Sequence, residues 1–93
     1  MNIENRATKL YLKNLPPLKA IEFIETYKLP SPYKEILITA CVERKEGFVG
    51  MDYLSEKYNI NIQYRTFGRK LREALEMFRR SHAEYYRPIN GIL

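Results

Sequence analysis

"YNINIQYRTFGRKLREALEMFRR", residues 58–80, decides how the chain is read. Phe67, Leu71, Ala74, Leu75 and Phe78 stand at i, i+4, i+7, i+8 and i+11, which is one face of an α-helix. The other side is crowded with arginine. This helix is expected to begin near Thr66 and to reach about Tyr85, roughly 30 Å at ~1.5 Å per residue. A polar break, "NIN", precedes it, and "INIQYRTF" is the one place where a short extended stretch could form.

Working outward, prolines and small polar residues cut the rest into helix-sized pieces. From Ile3 to Leu15, apolar residues at Ile3, Ala7, Leu10, Tyr11 and Leu15 have helical spacing, and "NLPP" stops that element. "LKAIEFIETY" then predicts a second helix with Leu18, Ile21 and Phe23/Ile24 inward. After "KLPSPY", Ser31 as N-cap with Pro32 at the first helical position opens a third. Ile36, Leu37, Ala40 and Cys41 make it the central buried helix, and "ERKEG" breaks it near Gly47. A shorter fourth helix covers about Val49 to Tyr58, with Met51, Leu54, Tyr58 and then Ile60 facing inward. The tail "RPINGIL", with Pro88 and Gly91, reads as irregular. The expected architecture is all-α: one domain over 1–93, with N-terminal helices in 1–28, a helical core in 29–86 and a tail in 87–93.

Composition narrows function by exclusion. Hydrophobic residues at 45% and charged ones at 29% describe an ordinary globular domain, and no apolar run approaches the ~20 residues of a membrane span. "MNIENRATK" lacks the apolar stretch of a signal peptide. Cys41, the single cysteine, lies in an apolar run and reads as a small buried hydrophobe of a reducing cytoplasm. With His82 the single histidine, no zinc site and no Cys–His pair is expected, and the four scattered glycines form no phosphate-cradling loop. The reading is of a non-enzyme without cofactor or metal. Eight tyrosines are many for this length, and Tyr11, Tyr27, Tyr33, Tyr53 and Tyr58 are expected at core edges with wet hydroxyls.

Charge is unevenly spread. Residues 1–61 carry nine Lys/Arg against eight Asp/Glu, whereas 62–93 carry seven against three, and six of those seven are arginine. Arginine is the residue of forked contacts with phosphates and guanine edges. No acid occurs from Gln63 through Arg72, whereas a merely solvated face usually mixes signs.

The last three helices, taken together, resemble the helix-turn-helix of sigma-factor region four and of small phage and bacterial transcriptional regulators. Leu29 and Pro30 match the leucine-proline start; Gly47, Met51 and Leu54 match the next segment. Ile60 and Asn61 stand where the family has Ile-Ser, and "REALEMFR" (Arg72 to Arg79) resembles the closing stretch. The likeness covers about residues 29–80. The chain departs from the pattern where "NIQYR" lengthens the turn, and where Tyr58 replaces the customary leucine-glycine approach.

The resemblance implies a helix-turn-helix in the C-terminal half and a sequence-specific double-stranded DNA-binding regulator of phage or mobile-element type. The major groove admits one α-helix, whose N-terminal residues reach the bases. On that basis Gln63 and Arg69 suit base edges, whereas Tyr64, Arg65, Thr66 and Lys70 suit phosphates. Arg72 also points outward, and Gly68 lets the groove wall approach. A plainer reading leaves Arg72, Glu76, Arg79 and Arg80 as a solvated surface. A palindromic operator requires a homodimer, through the first helix or the C-terminal "HAEYYRPINGIL". The alternative function is a helical protein–protein module, an adaptor or inhibitor, which the apolar surplus of the first two helices and the tyrosine-rich "AEYYRP" favour.

Overall fold

The computed structural model describes residues 1–92, with side chains described for 1–84. It is all-α: α1 (Ile3–Asn14), α2 (Pro17–Thr26), α3 (Tyr33–Leu37) running straight into a π-helical turn (Ile38–Val42), α4 (Gly47–Tyr58) and α5 (Tyr64–Ile92). Among the described residues there is no strand, and no helix is long and apolar enough to cross a membrane. Residues 59–63 connect α4 to α5 without extended pairing.

The third helix is the hub, as its apolar run predicts. Ile36, Leu37, Ile38, Ala40 and Cys41 are buried, and the segment touches all four other helices. Thr39 is fully buried too, and its hydroxyl donates to the Glu35 carbonyl at 2.7 Å, so the polar group is satisfied within its own helix. Burial pushes the Cys41 thiol up to about 12. The helix starts later than Ser31 would have it. Pro32 (φ −91°, ψ 7°) is the boundary residue, and no side chain caps the first turn.

α5 lies along the hub with Phe67, Leu71, Ala74, Leu75 and Phe78 all buried. Each is a position that the helical period assigns to the core. The helix is longer than expected at both ends, opening at Tyr64 and continuing through Ile92, so residues 87–92 are helical where irregular chain was predicted, and Leu93 lies outside the described residues. A proline removes one ladder donor, at Pro88, and the remaining backbone bonds still serve a helix.

α1 and α2 overturn part of the sequence reading. In α1 the buried residues are Asn5 and Leu12, whereas Ile3 (83% exposed) and Leu10 point outward and Ala7 lies exposed at the edge toward Phe78 and His82. In α2 the core takes Ala20, Phe23 and Ile24 and leaves Leu18 in solvent at 82% exposed. The physical reason for α1 lies across the fold. Lys9 and Lys13 flank Leu12 on the inner side, and both bind the Glu46 carboxylate, at 2.6 and 3.1 Å. Arg79 of α5 pairs with Glu4, and the Arg44 guanidinium donates to the Lys13 carbonyl at 2.8 Å. These ties fix which side of α1 turns inward.

Candidate nucleic-acid interface

The turn before α5 is built by asparagine instead of glycine. Asn59 adopts the left-handed conformation (φ 57°, ψ 35°), and its N–H and that of Ile60 return to carbonyls of the last turn of α4. Asparagine tolerates this region better than other side-chain-bearing residues, so the missing glycine leaves α4 with an ordinary C-terminal cap. Ile60 and Ile62 then pack at the core edge, and the Gln63 carbonyl accepts the Phe67 N–H at 2.9 Å to start α5.

Close contact between α4 and α5 is enforced at Gly50. A β-carbon there would lie 2.7 Å from the Phe67 ring and 2.8 Å from the Lys45 carbonyl oxygen. The Phe67 ring therefore rests on bare α4 backbone. This brings the start of α4 beside the first turns of α5, and between them lies a depression of about 610 Å³. Tyr64, Arg65, Thr66, Gly68, Arg69 and Arg72 line it on the α5 side, facing Glu46 and Gly47.

Five of the seven predicted site residues, Tyr64, Arg65, Thr66, Arg69 and Arg72, thus share one concave surface. Gln63 is exposed but outside the lining. Lys70 is turned elsewhere: its ammonium sits 4.8 Å from the centre of the Tyr33 ring and donates to the Tyr33 hydroxyl at 3.3 Å. That hydroxyl in turn donates to Glu73 at 2.8 Å. Lys70 is half-buried in this chain of contacts, so its charge is directed at α3 and not at the depression.

The arginines are differently placed. Among the described residues, Arg65 and Arg72 form no ion pair, and Arg69 reaches Glu73 only at 3.9 Å on the exposed surface. Exposed pairs of that kind hold a side chain weakly. The acid in the wall, Glu46, does little to oppose an anion because it is already paired. Burial alone would raise its carboxyl, but hydrogen bonds from Lys9 and Lys13 outweigh that and hold it below the usual carboxylate range.

Two features of this surface were not found from the sequence. The Phe48 ring stacks on Tyr64, with centroids 4.5 Å apart and planes 30° from parallel, yet Phe48 stays 67% exposed and Tyr64 53%. Helical phase held only a weak signal for this, since Phe48 is out of step with Leu54 but stands three residues before Met51. Gly47 is the second. It has φ +62°, which suits glycine, and a β-carbon there would touch the Tyr64 ring at 3.5 Å. Gly68 is unlike both, since a β-carbon added there would meet nothing within 4 Å.

Arg79, further along α5, is a strut between helices, through its pairs with Glu4 and Glu76. His82 lies among the rings of Tyr11, Phe23, Tyr27 and Phe78, and burial lowers its pKa. Comparison of the chain with protein-family models, with curated proteins and with solved structures finds no match.

Proposed function

We propose that the protein binds double-stranded DNA through the first turns of α5, as a small sequence-specific transcriptional regulator with α4, the Asn59 turn and α5 serving as a helix-turn-helix. The observation that carries this reading is the set of arginines at 65, 69 and 72. They occupy one concave, exposed surface with little internal ion pairing, beside an acid that two lysines already neutralise. Charged side chains that are unpaired, as Arg65 and Arg72 are among the described residues, or only weakly paired, as Arg69 is, are suited to phosphates and guanine edges. Gly68 adds to it. Among the described residues nothing lies within 4 Å of a β-carbon placed there, and glycine weakens a helix, whereas a groove wall laid against α5 would need the space. Arg69 is assigned to base edges with Gln63. Arg65, Thr66, Tyr64 and Arg72 are assigned to the phosphates alongside.

Selection of bound duplexes from a random pool tests the proposal, with Arg69→Ala as the control. A recovered consensus that the variant fails to enrich supports it. Recovery of no sequence above background by the wild type sinks sequence-specific binding.

A second reading has its own observation. Ile3 and Leu10 form an exposed apolar stripe on the outer side of α1, opposite Leu12. Such a stripe favours a protein partner, or a second copy of the chain that would give a DNA reader two-fold symmetry. The C-terminal alternative for a dimer, "HAEYYRPINGIL", begins at His82, which is packed among rings of the fold, and its side chains from residue 85 onward lie outside the described residues. Heparin retention separates the two readings: loss with modest salt favours nucleic acid, and salt-insensitive partner binding favours a protein module.

A further inference from the structure

An aromatic pair standing in water beside a cationic depression calls for explanation. Phe48 and Tyr64 are stacked on each other at 4.5 Å, from two different helices, and both remain more than half exposed. Core-edge aromatics normally bury one face against aliphatic neighbours. Here Tyr64 has the Gly47 backbone at its edge, and the outer side of the pair is open. The Tyr64 ring also lines the depression that holds Arg65, Arg69 and Arg72. Intact duplex DNA offers phosphates and base edges to such a surface but keeps the faces of its bases stacked within the helix. A stacked aromatic pair next to Arg65 and Arg72, which form no ion pair among the described residues, matches the face of a base that has left its stack, with those two arginines on the flanking phosphates.

We infer that the Phe48–Tyr64 pair is a stacking site for an unpaired base, so that this surface prefers DNA with locally opened base pairs to intact duplex. The inference rests on the nucleic-acid reading above and adds a substrate preference to it. It commits the Phe48–Tyr64 pair to a nucleic-acid occupant, because the depression that Tyr64 lines carries Arg65, Arg69 and Arg72, and the acid in its wall, Glu46, is neutralised by Lys9 and Lys13.

The test is a pair of anisotropy titrations, using one duplex fully paired and the same duplex with a short central run of unpaired thymines. Wild type, Phe48→Leu and Arg69→Ala are compared. Phe48→Leu keeps an apolar side chain and removes the ring, and unchanged melting temperature confirms its fold. The wild type is expected to bind the opened duplex about tenfold more tightly, within the range that stacking of one base on an aromatic contributes. Phe48→Leu is expected to lose that preference while Arg69→Ala weakens both duplexes. 2-Aminopurine placed among the unpaired bases adds a direct readout: its fluorescence should be altered on binding to wild type and much less on binding to Phe48→Leu. Equal affinity of the wild type for the two duplexes, or a preference that Phe48→Leu retains, overturns the inference and leaves duplex binding standing. Absence of salt-sensitive binding to either duplex removes the nucleic-acid reading and the inference with it. If Phe48→Leu instead abolishes self-association by light scattering and leaves both affinities unchanged, the patch is a protein contact and the stacking site is refuted.

Discussion

α1 and α5 flank the same central helix, and they are held by different physics. α5 buries five apolar side chains in an unbroken stripe, from Phe67 to Phe78. α1 buries one leucine and one asparagine, and the Asn5 side-chain oxygen has no partner. Beside Leu12 and the core-edge Leu15, charge helps to keep α1 in place: Lys9 and Lys13 on Glu46, and Glu4 on Arg79. The consequence for function is that the helix carrying the arginine surface is anchored by burial, which salt scarcely touches. Arg65 and Arg72, which form no ion pair among the described residues, are therefore free of a structural duty, unlike Lys70 and Arg79 on the same helix. α1 spends its charges on the fold.

Deleting apolar volume from α5 should break the comparison most severely. Leu71 is 3% exposed and central to the stripe, so Leu71→Ala should cost about 2–5 kcal/mol, enough to unfold a domain this small. Melting within a degree or two of wild type would show that the α5 core face is misassigned. Next in size is Gly50→Ala, which places a methyl group against the Phe67 ring and the Lys45 carbonyl. A loss of about 1–3 kcal/mol in urea unfolding is expected, and an unchanged midpoint would mean that α4 and α5 are not in this contact.

α1 should respond to pH and salt where α5 does not. The Glu46 carboxyl is held below its usual range in the fold. Its stabilisation is therefore present above the unfolded-state pKa, near ~4.3, and is lost as pH falls through the lower folded-state value. Glu46→Gln should cost about 0.5–1 kcal/mol at neutral pH, since the pair is partly screened, and should reduce the extra loss in acid. In native-state hydrogen exchange the α1 amides should open faster in this variant while those of α5 do not change. Equal acceleration in both helices would remove the distinction drawn between them. The smallest effect concerns Gly68. With open space around it, Gly68→Ala should raise stability by about 0.5–1 kcal/mol and weaken duplex binding. A destabilised variant would mean that the glycine serves the fold.

The contrast also explains what was legible before any coordinates. Long stripes such as 67–71–74–75–78, and the run Ile36–Leu37–Ala40–Cys41, admit one helical face, and each of those residues is buried. α1 offers two faces. Ile3 and Leu10 lie on one, Leu12 on the other, and Leu15 packs at the core edge, so period alone does not choose between them. The choice is made by Glu46, more than thirty residues away, and such a tie is invisible to local pattern. Five of the seven proposed contact residues meet on one surface because they follow helical geometry from a correct core face. Lys70 does not, since Tyr33 and Glu73 capture it from the flank. Phe48 joins the surface only through the approach of α4 to α5 at Gly50.

The central claim is that the arginines at the start of α5 read duplex DNA. It is tested most directly by titrating wild type and Arg69→Ala against a selected duplex and a scrambled one, at two salt concentrations. The account predicts salt-sensitive binding by wild type, with Arg69→Ala losing about 1–3 kcal/mol on the selected site and less on the scrambled one. Arg65→Ala, assayed alongside, should weaken both duplexes alike and lower the salt slope by about one. Wild-type protein that shows no salt-sensitive affinity for either duplex would contradict the account and leave the apolar stripe of α1 as the surface to pursue.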